Sequence, residues 1–221
     1  EEMNRAIAQH QLRPVVDLAF ELGGGSVAGD HAAALRRAHE RALPWLGEDG
    51  ETAVHPIRAA RLTGGRLALN RRSRLMLRLP QGRVTAALAL SGTRLDLDGE
   101  AIEPGRALAR TLIAHPTLYA QRVVTGDEDE IAFMASAERE LAALAVRGDF
   151  ICGRRSAVRG PAGELVGFSV MLTGLRQEDS LRVQTAGLGR HRTLGCGVFV
   201  PHRATAAVGS DAADDAHRAF R

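Results

Sequence analysis

The segment Gly187-Leu188-Gly189-Arg190-His191-Arg192-Thr193-Leu194-Gly195-Cys196-Gly197 gathers more chemistry than any other in this 221-residue chain. Its four glycines, at spacings of two, six and two, let a backbone approach a ligand closely and adopt positive φ. N–H groups bared by such a loop, together with Arg190, His191 and Arg192, suit phosphate oxygens. A purely structural turn uses the same glycines, and both readings stand at this stage. The dinucleotide fingerprint is excluded, because it follows a strand and opens a helix, whereas here a helix precedes and a strand follows. Eight histidines are the acid–base candidates. His31 falls at the start of the first expected helix and His39 two turns further on, where a solvated helix face is the plainer reading. His55 and His202 each adjoin a proline at a strand end, which suits structural histidines. His10, His115 and His217 carry no distinguishing context. His191, Cys196 and His202 would supply three zinc ligands, but a fourth is missing, so neither a metal nor another cofactor is expected.

All 29 basic residues are arginine. The absence of lysine excludes a Walker-type phosphate loop, a lysine nucleophile and a Schiff base. The net charge is only +3, yet the charges are segregated. Residues 52–95 hold nine arginines and no acid; residues 180–210 hold four more, again with no acid. Carboxylates cluster instead at 48–51, 127–130 and 211–215. Such segregation can give a domain one electropositive face, which fits a polyanionic partner. A GC-rich genome would account for the missing lysine but not for the missing acids.

Positioning these groups requires a packed scaffold, and 221 residues with 45% hydrophobic content supply one large or two small domains. No apolar run reaches the ~18 residues of a membrane span, no signal-peptide pattern opens the chain, and two cysteines suit a reducing compartment, so a cytoplasmic protein is expected. Val15 to Leu22 alternates as a strand and stops at Gly23-Gly24-Gly25. Asp30 is the expected N-cap of a helix to about Leu43, ended by Pro44. Strands are expected at 54–61 and 73–79, a short helix at 82–90 and a strand at 93–97. The pattern repeats with a strand at 117–125, a helix at 129–146, a hairpin of 150–159 and 164–172, a helix from Gln177 to Ala186 and a strand at 197–200. The fold class is therefore α+β: two tandem ferredoxin-like (RRM-like) βαββαβ domains with the Gly-rich loop before the last strand. The expected organisation is an N-terminal extension (1–14), domains at 15–100 and 101–203, and a flexible tail (204–221).

Two such units, a Gly-rich loop before the last strand and a histidine opening the first helix resemble the CRISPR-associated endoribonucleases that cut repeat RNA, the Cas-six family, and within it the Myxococcus-type subfamily. The matching segments are Gly29-Asp30-His31, Val54-His55-Pro56-Ile57, Ser73 through Leu79, Thr117-Leu118-Tyr119-Ala120, and Gly187 through Pro201-His202. They run in order across nearly the whole chain. The resemblance implies metal-independent cleavage within CRISPR repeats, leaving a 5′-hydroxyl and a 2′,3′-cyclic phosphate. That chemistry needs a base for the 2′-OH, an acid for the leaving 5′-oxygen and positive donors for the phosphorane.

The resemblance implies His31 as the catalytic histidine, with His39 as a possible proton donor and Tyr119 as a possible positioner of sugar or phosphate. Expected RNA contacts are Arg36 and Arg37 on the first helix, Arg154 and Arg155 on the second-domain hairpin (which also carries Arg159), and Gly187, Gly189, Arg190, His191, Arg192, Gly195 and Gly197 in the loop. Only 4% of residues are aromatic, so recognition by shape and phosphate of a stem-loop fits better than stacking on successive bases. The implied partners are CRISPR repeat RNA and other subunits of a CRISPR effector complex, with no membrane. Two rival readings are a non-catalytic repeat-binding subunit of the same fold and an unrelated ferredoxin-like protein for a small anion.

Overall fold

Val16, Leu18, Phe20 and Leu22 alternate with Asp17, Ala19 and Glu21, and this period-two pattern forms β1 (Val15–Leu22) with the first set buried. The computed structural model describes residues 14–47 and 50–203. The expected tail (204–221), all but Pro14 of the expected N-terminal extension, His10, His217, and the acids at 48–49 and 211–215 lie outside the described residues. After β1 come β2 (Gly25–Ala28) and α1 (Ala32–Ala42). Alanine, leucine and arginine favour helix here, and Ala34, Leu35, Ala38 and His39 form its buried face. His31 holds the N-cap position rather than Asp30 and makes no side-chain cap bond. The Leu43 N–H closes on the His39 carbonyl and Pro44 stops the helix.

The chain continues through β3 (Ala53–Val54), β4 (Ala60–Arg61), β5 (Arg66–Leu69) and β6 (Arg74–Pro80). Then come α2 (Val84–Ala87) with a 3₁₀ turn on either side, β7 (Leu95–Leu97), β8 (Glu100–Ile102) and β9 (Pro104–Thr111). The main sheet is ordered β3-β6-β1-β9 with antiparallel pairs, so the second, third, first and fourth strands of a βαββαβ unit lie side by side. Three features differ from expectation. The fourth strand is β9, whereas the strand expected at 93–97 is shortened to β7, which forms a two-stranded sheet with β8. The strand expected at 54–61 splits around Pro56, which cannot donate to a ladder: β3 joins the main sheet, while β4 joins a small sheet ordered β2-β5-β4. The first compact unit therefore runs to Leu112 rather than to residue 100, and it includes 157–165 and 191–195.

The second unit repeats the order with β10 (Leu118–Val123), α3 (Glu130–Ala143), β11 (Asp149–Gly160), β12 (Gly163–Thr173), α4 (Gln177–Ala186) and β13 (Val200–Pro201). Its sheet is ordered β11-β12-β10-β13, again second, third, first, fourth. Asp129 caps α3 by accepting the Ala132 N–H at 3.0 Å. The two cores are separate: Phe20, Leu35, Leu75, Leu77 and Leu79 anchor the first, and Phe133, Phe168, Val170 and Phe199 the second. Among the described residues no helix is long and apolar enough to cross a membrane.

Candidate functional site

His31 sits where β2 turns into α1, and both of its ring nitrogens are engaged. Nδ1 donates to the Ala28 carbonyl at 2.9 Å, and Nε2 accepts the Ile57 N–H at 3.2 Å. A carbonyl can only accept and an amide N–H can only donate, so these partners fix the Nδ1–H tautomer. The ring is 5% exposed, and burial lowers its pKa below the ordinary value, partly opposed by the backbone bonds and by Asp30. His31 is thus neutral at pH 7 and ties the start of α1 to the segment leaving β3. His39 has no surface at all: it is 0% exposed, neither ring nitrogen has a hydrogen-bond partner among the described residues, and burial pushes its pKa down to about 4. A group so placed cannot hand a proton to a ligand outside the core, so its expected role as proton donor does not fit.

The same segment receives the middle of the Gly-rich loop. The 3₁₀ turn Arg192–Leu194 packs on β3 and α1, and Arg192 Nη1 donates to the Glu51 carbonyl at 3.1 Å. Gly195, at φ 80°, lies against Pro56; a Cβ there would come within 2.9 Å of the proline ring. His31, Pro56-Ile57 and residues 191–195 therefore form one contiguous cluster in the first unit.

The ends of the loop belong to the second unit, and their N–H groups are spent internally. Gly187 donates to Val183, Gly189 to the Glu140 carboxylate at 2.7 Å, Arg190 to Val124 at 2.8 Å and Gly197 to Arg122 at 2.7 Å. Leu194 and Gly195 likewise donate within the loop. The glycines allow backbone to pass backbone: a Cβ on Gly189 would lie 2.4 Å from the Val124 oxygen, and one on Gly197 would lie 2.0 Å from the Leu188 oxygen. The expectation that Gly187, Gly189, Gly195 and Gly197 offer bare N–H donors is corrected, because those donors hold the loop's shape. What the loop presents is side chain: exposed Arg190 and half-buried His191 and Arg192.

The other expected contacts divide. Arg37 Nη2 donates to both Asp98 oxygens at 2.8 Å, and Arg36 Nε pairs with Glu40 at 2.7 Å. Arg36 and Arg37 are thus already matched to carboxylates. On β11, Arg155 approaches Glu128 at 3.6 Å, while Arg154 and Arg159 are exposed with no carboxylate partner among the described residues. Tyr119 on β10 is half-buried, its ring 5.5 Å from that of His202. Among the described residues no three His, Cys, Asp or Glu side chains are grouped to hold a metal. Cys196 is buried, which pushes its thiol up to about 11.

The family profile described as Cas6 Crispr matches residues 16–204. This chain belongs to the Cas6 family. A curated relative, the CRISPR-associated endonuclease Cas6 of Myxococcus xanthus (strain DK1622), is 40% identical over 197 residues, 88% of this chain and 85% of its own. A solved CRISPR-associated Cas6 protein has a TM-score of 0.61, covering 86% of this chain and 100% of its own at 9% identity. A Cas6-related protein from Pyrococcus furiosus has a TM-score of 0.59, covering 84% and 98% at 11% identity. At those identities the two structures speak for the fold alone, and they agree with the tandem arrangement of this Cas6 chain.

Sequence reasoning missed a buried network in this Cas6 chain. Asp17 on β1 lies opposite Arg78 on β6, and Arg78 grips it through Nε at 2.8 Å and Nη2 at 2.9 Å. His55 Nε2 meets the same carboxylate at 3.2 Å. Burial alone would raise the Asp17 pKa, but His55 and Arg78 outweigh it and hold the carboxyl well below the usual range. Burial keeps His55 neutral, against the pull of Asp17. The signal was an arginine and an aspartate at neighbouring strand positions whose other neighbours are apolar. Only the register makes them partners.

Proposed function

We propose that this chain is a metal-independent endoribonuclease that cuts CRISPR precursor RNA within its repeats, leaving a 5′-hydroxyl and a 2′,3′-cyclic phosphate. The observation that carries the reading is the 40% identity, across most of both chains, to a relative named as a CRISPR-associated endonuclease. The reaction uses the RNA's own 2′-OH as nucleophile, so the protein has only to move protons and neutralise the phosphorane. His31 is the proposed general base or acid. Its Nδ1–H is fixed on the Ala28 carbonyl and it is neutral at pH 7, the form that takes a proton through Nε2. RNA must displace the 3.2 Å bond from Ile57 to reach that nitrogen. Arg190 and Arg192 supply positive charge and Tyr119 orients sugar or phosphate. The setting is cytoplasmic, which two free cysteines suit.

One observation favours a second reading, a repeat-binding subunit without cleavage: both nitrogens of His31 already have backbone partners. Single-turnover cleavage of repeat RNA in excess EDTA separates the two, since the enzyme cuts and the subunit only binds. His31→Ala should slow cleavage by roughly a hundred- to ten-thousandfold with repeat affinity nearly unchanged. His31→Asn, whose amide can still donate to Ala28, should keep the fold and remain inactive. Wild-type cleavage by either variant refutes the assignment. A 2′-deoxy nucleotide just before the scissile phosphate should block cutting and spare binding; a cut at that site would mean that water is the nucleophile.

A further inference from the structure

The acid-free arginine stretch has a built element at its centre. Between β5 and β6 the chain reverses through Asn70-Arg71-Arg72-Ser73, and side-chain and backbone bonds of Asn70 and Ser73 hold that turn. Asn70 Oδ1 accepts the Arg72 N–H at 2.8 Å, Ser73 Oγ accepts the Asn70 N–H at 3.1 Å, and the Ser73 N–H returns to the Asn70 carbonyl at 2.9 Å. Arg74 braces the outside, donating through Nη1 to the Arg71 carbonyl at 2.6 Å and the Ser73 carbonyl at 2.8 Å. The turn thereby fixes the backbone beneath Arg71 and Arg72. Both are exposed, and neither has a carboxylate partner among the described residues. Glu21, opposite Arg74 in the β1–β6 register, lies 3.8 Å from Arg106.

The turn also has a defined relation to His31. Strand β2 pairs with β5 so that Gly25 faces Leu69, next to the turn, and Ala28 faces Arg66. Ala28 is the residue whose carbonyl holds His31. Three strand steps of about 3.3 Å separate those two ends, or about 10 Å. A stacked strand rising about 3.4 Å per nucleotide covers that span in about three nucleotides.

We propose that the Arg71-Arg72 turn is a second RNA site, which grips phosphates of the unpaired strand flanking the cleavage position by about three nucleotides. The proposal rests on the endoribonuclease reading. No aromatic side chain lies on the turn, so the contact is to backbone phosphate and carries no base preference.

The test is a salt series of binding by the full chain to three RNAs: the repeat with both single-stranded flanks, and the repeat with either flank removed. Arg71→Ala with Arg72→Ala should lower the slope of log affinity against log salt by about 0.7 per lost contact, about 1.4 for both. The loss should appear on the full repeat and on one trimmed RNA, and vanish on the RNA that lacks the gripped flank. Changing that flank's sequence should leave the loss unchanged. Arg71→Lys with Arg72→Lys should restore most of the slope. An unaltered slope in the alanine variant, where wild type shows salt-dependent binding, overturns this site alone. A loss that survives removal of either flank also overturns it, because the contact would then be to the stem. Wild type that fails to bind repeat RNA would overturn the endoribonuclease reading and this site with it.

Discussion

His39 offers the most direct measure of what burial does in the first unit. It packs on the core face of α1 with neither ring nitrogen hydrogen-bonded, and its pKa falls from 6.5 to about 4. The folded state therefore holds it neutral over a range in which the unfolded chain takes up a proton. A depressed folded pKa gives stability that is complete above 6.5 and lost as pH falls toward 4, at about 1.4 kcal/mol per pH unit. The whole interval is worth about 3 kcal/mol, a large share of a small domain's stability. His31 and His55 have lowered values from the same cause and add to the slope. The perturbation is His39→Leu, which fills a similar volume and cannot ionise. Trp45, the single tryptophan of the chain, packs against this core under the Arg83 guanidinium, so its fluorescence reports unfolding of this unit. Urea unfolding from pH 7 to 4.5 should show the variant losing stability less steeply than wild type, by up to about 1.4 kcal/mol per unit below pH 6. Parallel curves would refute the argument, because His39 would then be titrating in the fold as it does in water.

Three further outcomes follow from geometry already described. Arg78→Met strands the Asp17 carboxylate beside His55, and loss of one partner of a buried pair should cost about 3–5 kcal/mol in chemical unfolding; a loss under 1 kcal/mol would mean that water replaces the guanidinium. Gly197→Ala puts a methyl 2.0 Å from the Leu188 oxygen at φ 66°, so the melting temperature should drop by several degrees. Gly24→Ala, with nothing within 4 Å and no positive φ, is its matched control and should change little. Arg37→Ala should cost no more than about 1 kcal/mol, since its ion pair with Asp98 is exposed, and should leave the salt slope of RNA binding unchanged; a shallower slope would return Arg37 to the phosphate contacts.

Elements whose pattern was strong were legible from sequence. Strand β1, helix α4 and the β11–β12 hairpin fall where alternation, periodicity and Gly160-Pro161-Ala162-Gly163 put them. Strand β9 was not legible, because PGRALART carries no branched apolar run; it is a strand because β1 offers it a ladder from Val16 to Leu22. The small β2-β5-β4 sheet was hidden for a related reason, its strands being two to four residues long and rich in Gly, Ala and Arg. At the site, the type and place of His31 could be read, but not that both nitrogens are occupied, since the Ile57 partner lies 26 residues away. The loop glycines could be read as either a ligand-binding loop or a structural turn, with nothing local to choose between them. Whether they free N–H groups or let backbones cross depends on how the chain folds back on itself, since Gly189 crosses Val124, which lies outside the loop, and Gly197 crosses Leu188.

The internal bonding of residues 187–197 also bears on the thermodynamics of encounter. A loop that folds around its ligand gives up conformational entropy when it binds, and its amides exchange freely until then. Here the Gly189 and Arg190 N–H groups are bonded to Glu140 and Val124, and that of Gly197 to Arg122, without any ligand. Those amide protons should exchange slowly in the free protein, and no faster than in a complex. The frame that carries Arg190, His191 and Arg192 is thus set without a ligand, and the ordering cost was met during folding. Exchange of those three side chains would therefore leave the backbone that presents them in place, since its bonds run to Glu140, Val124 and Arg122.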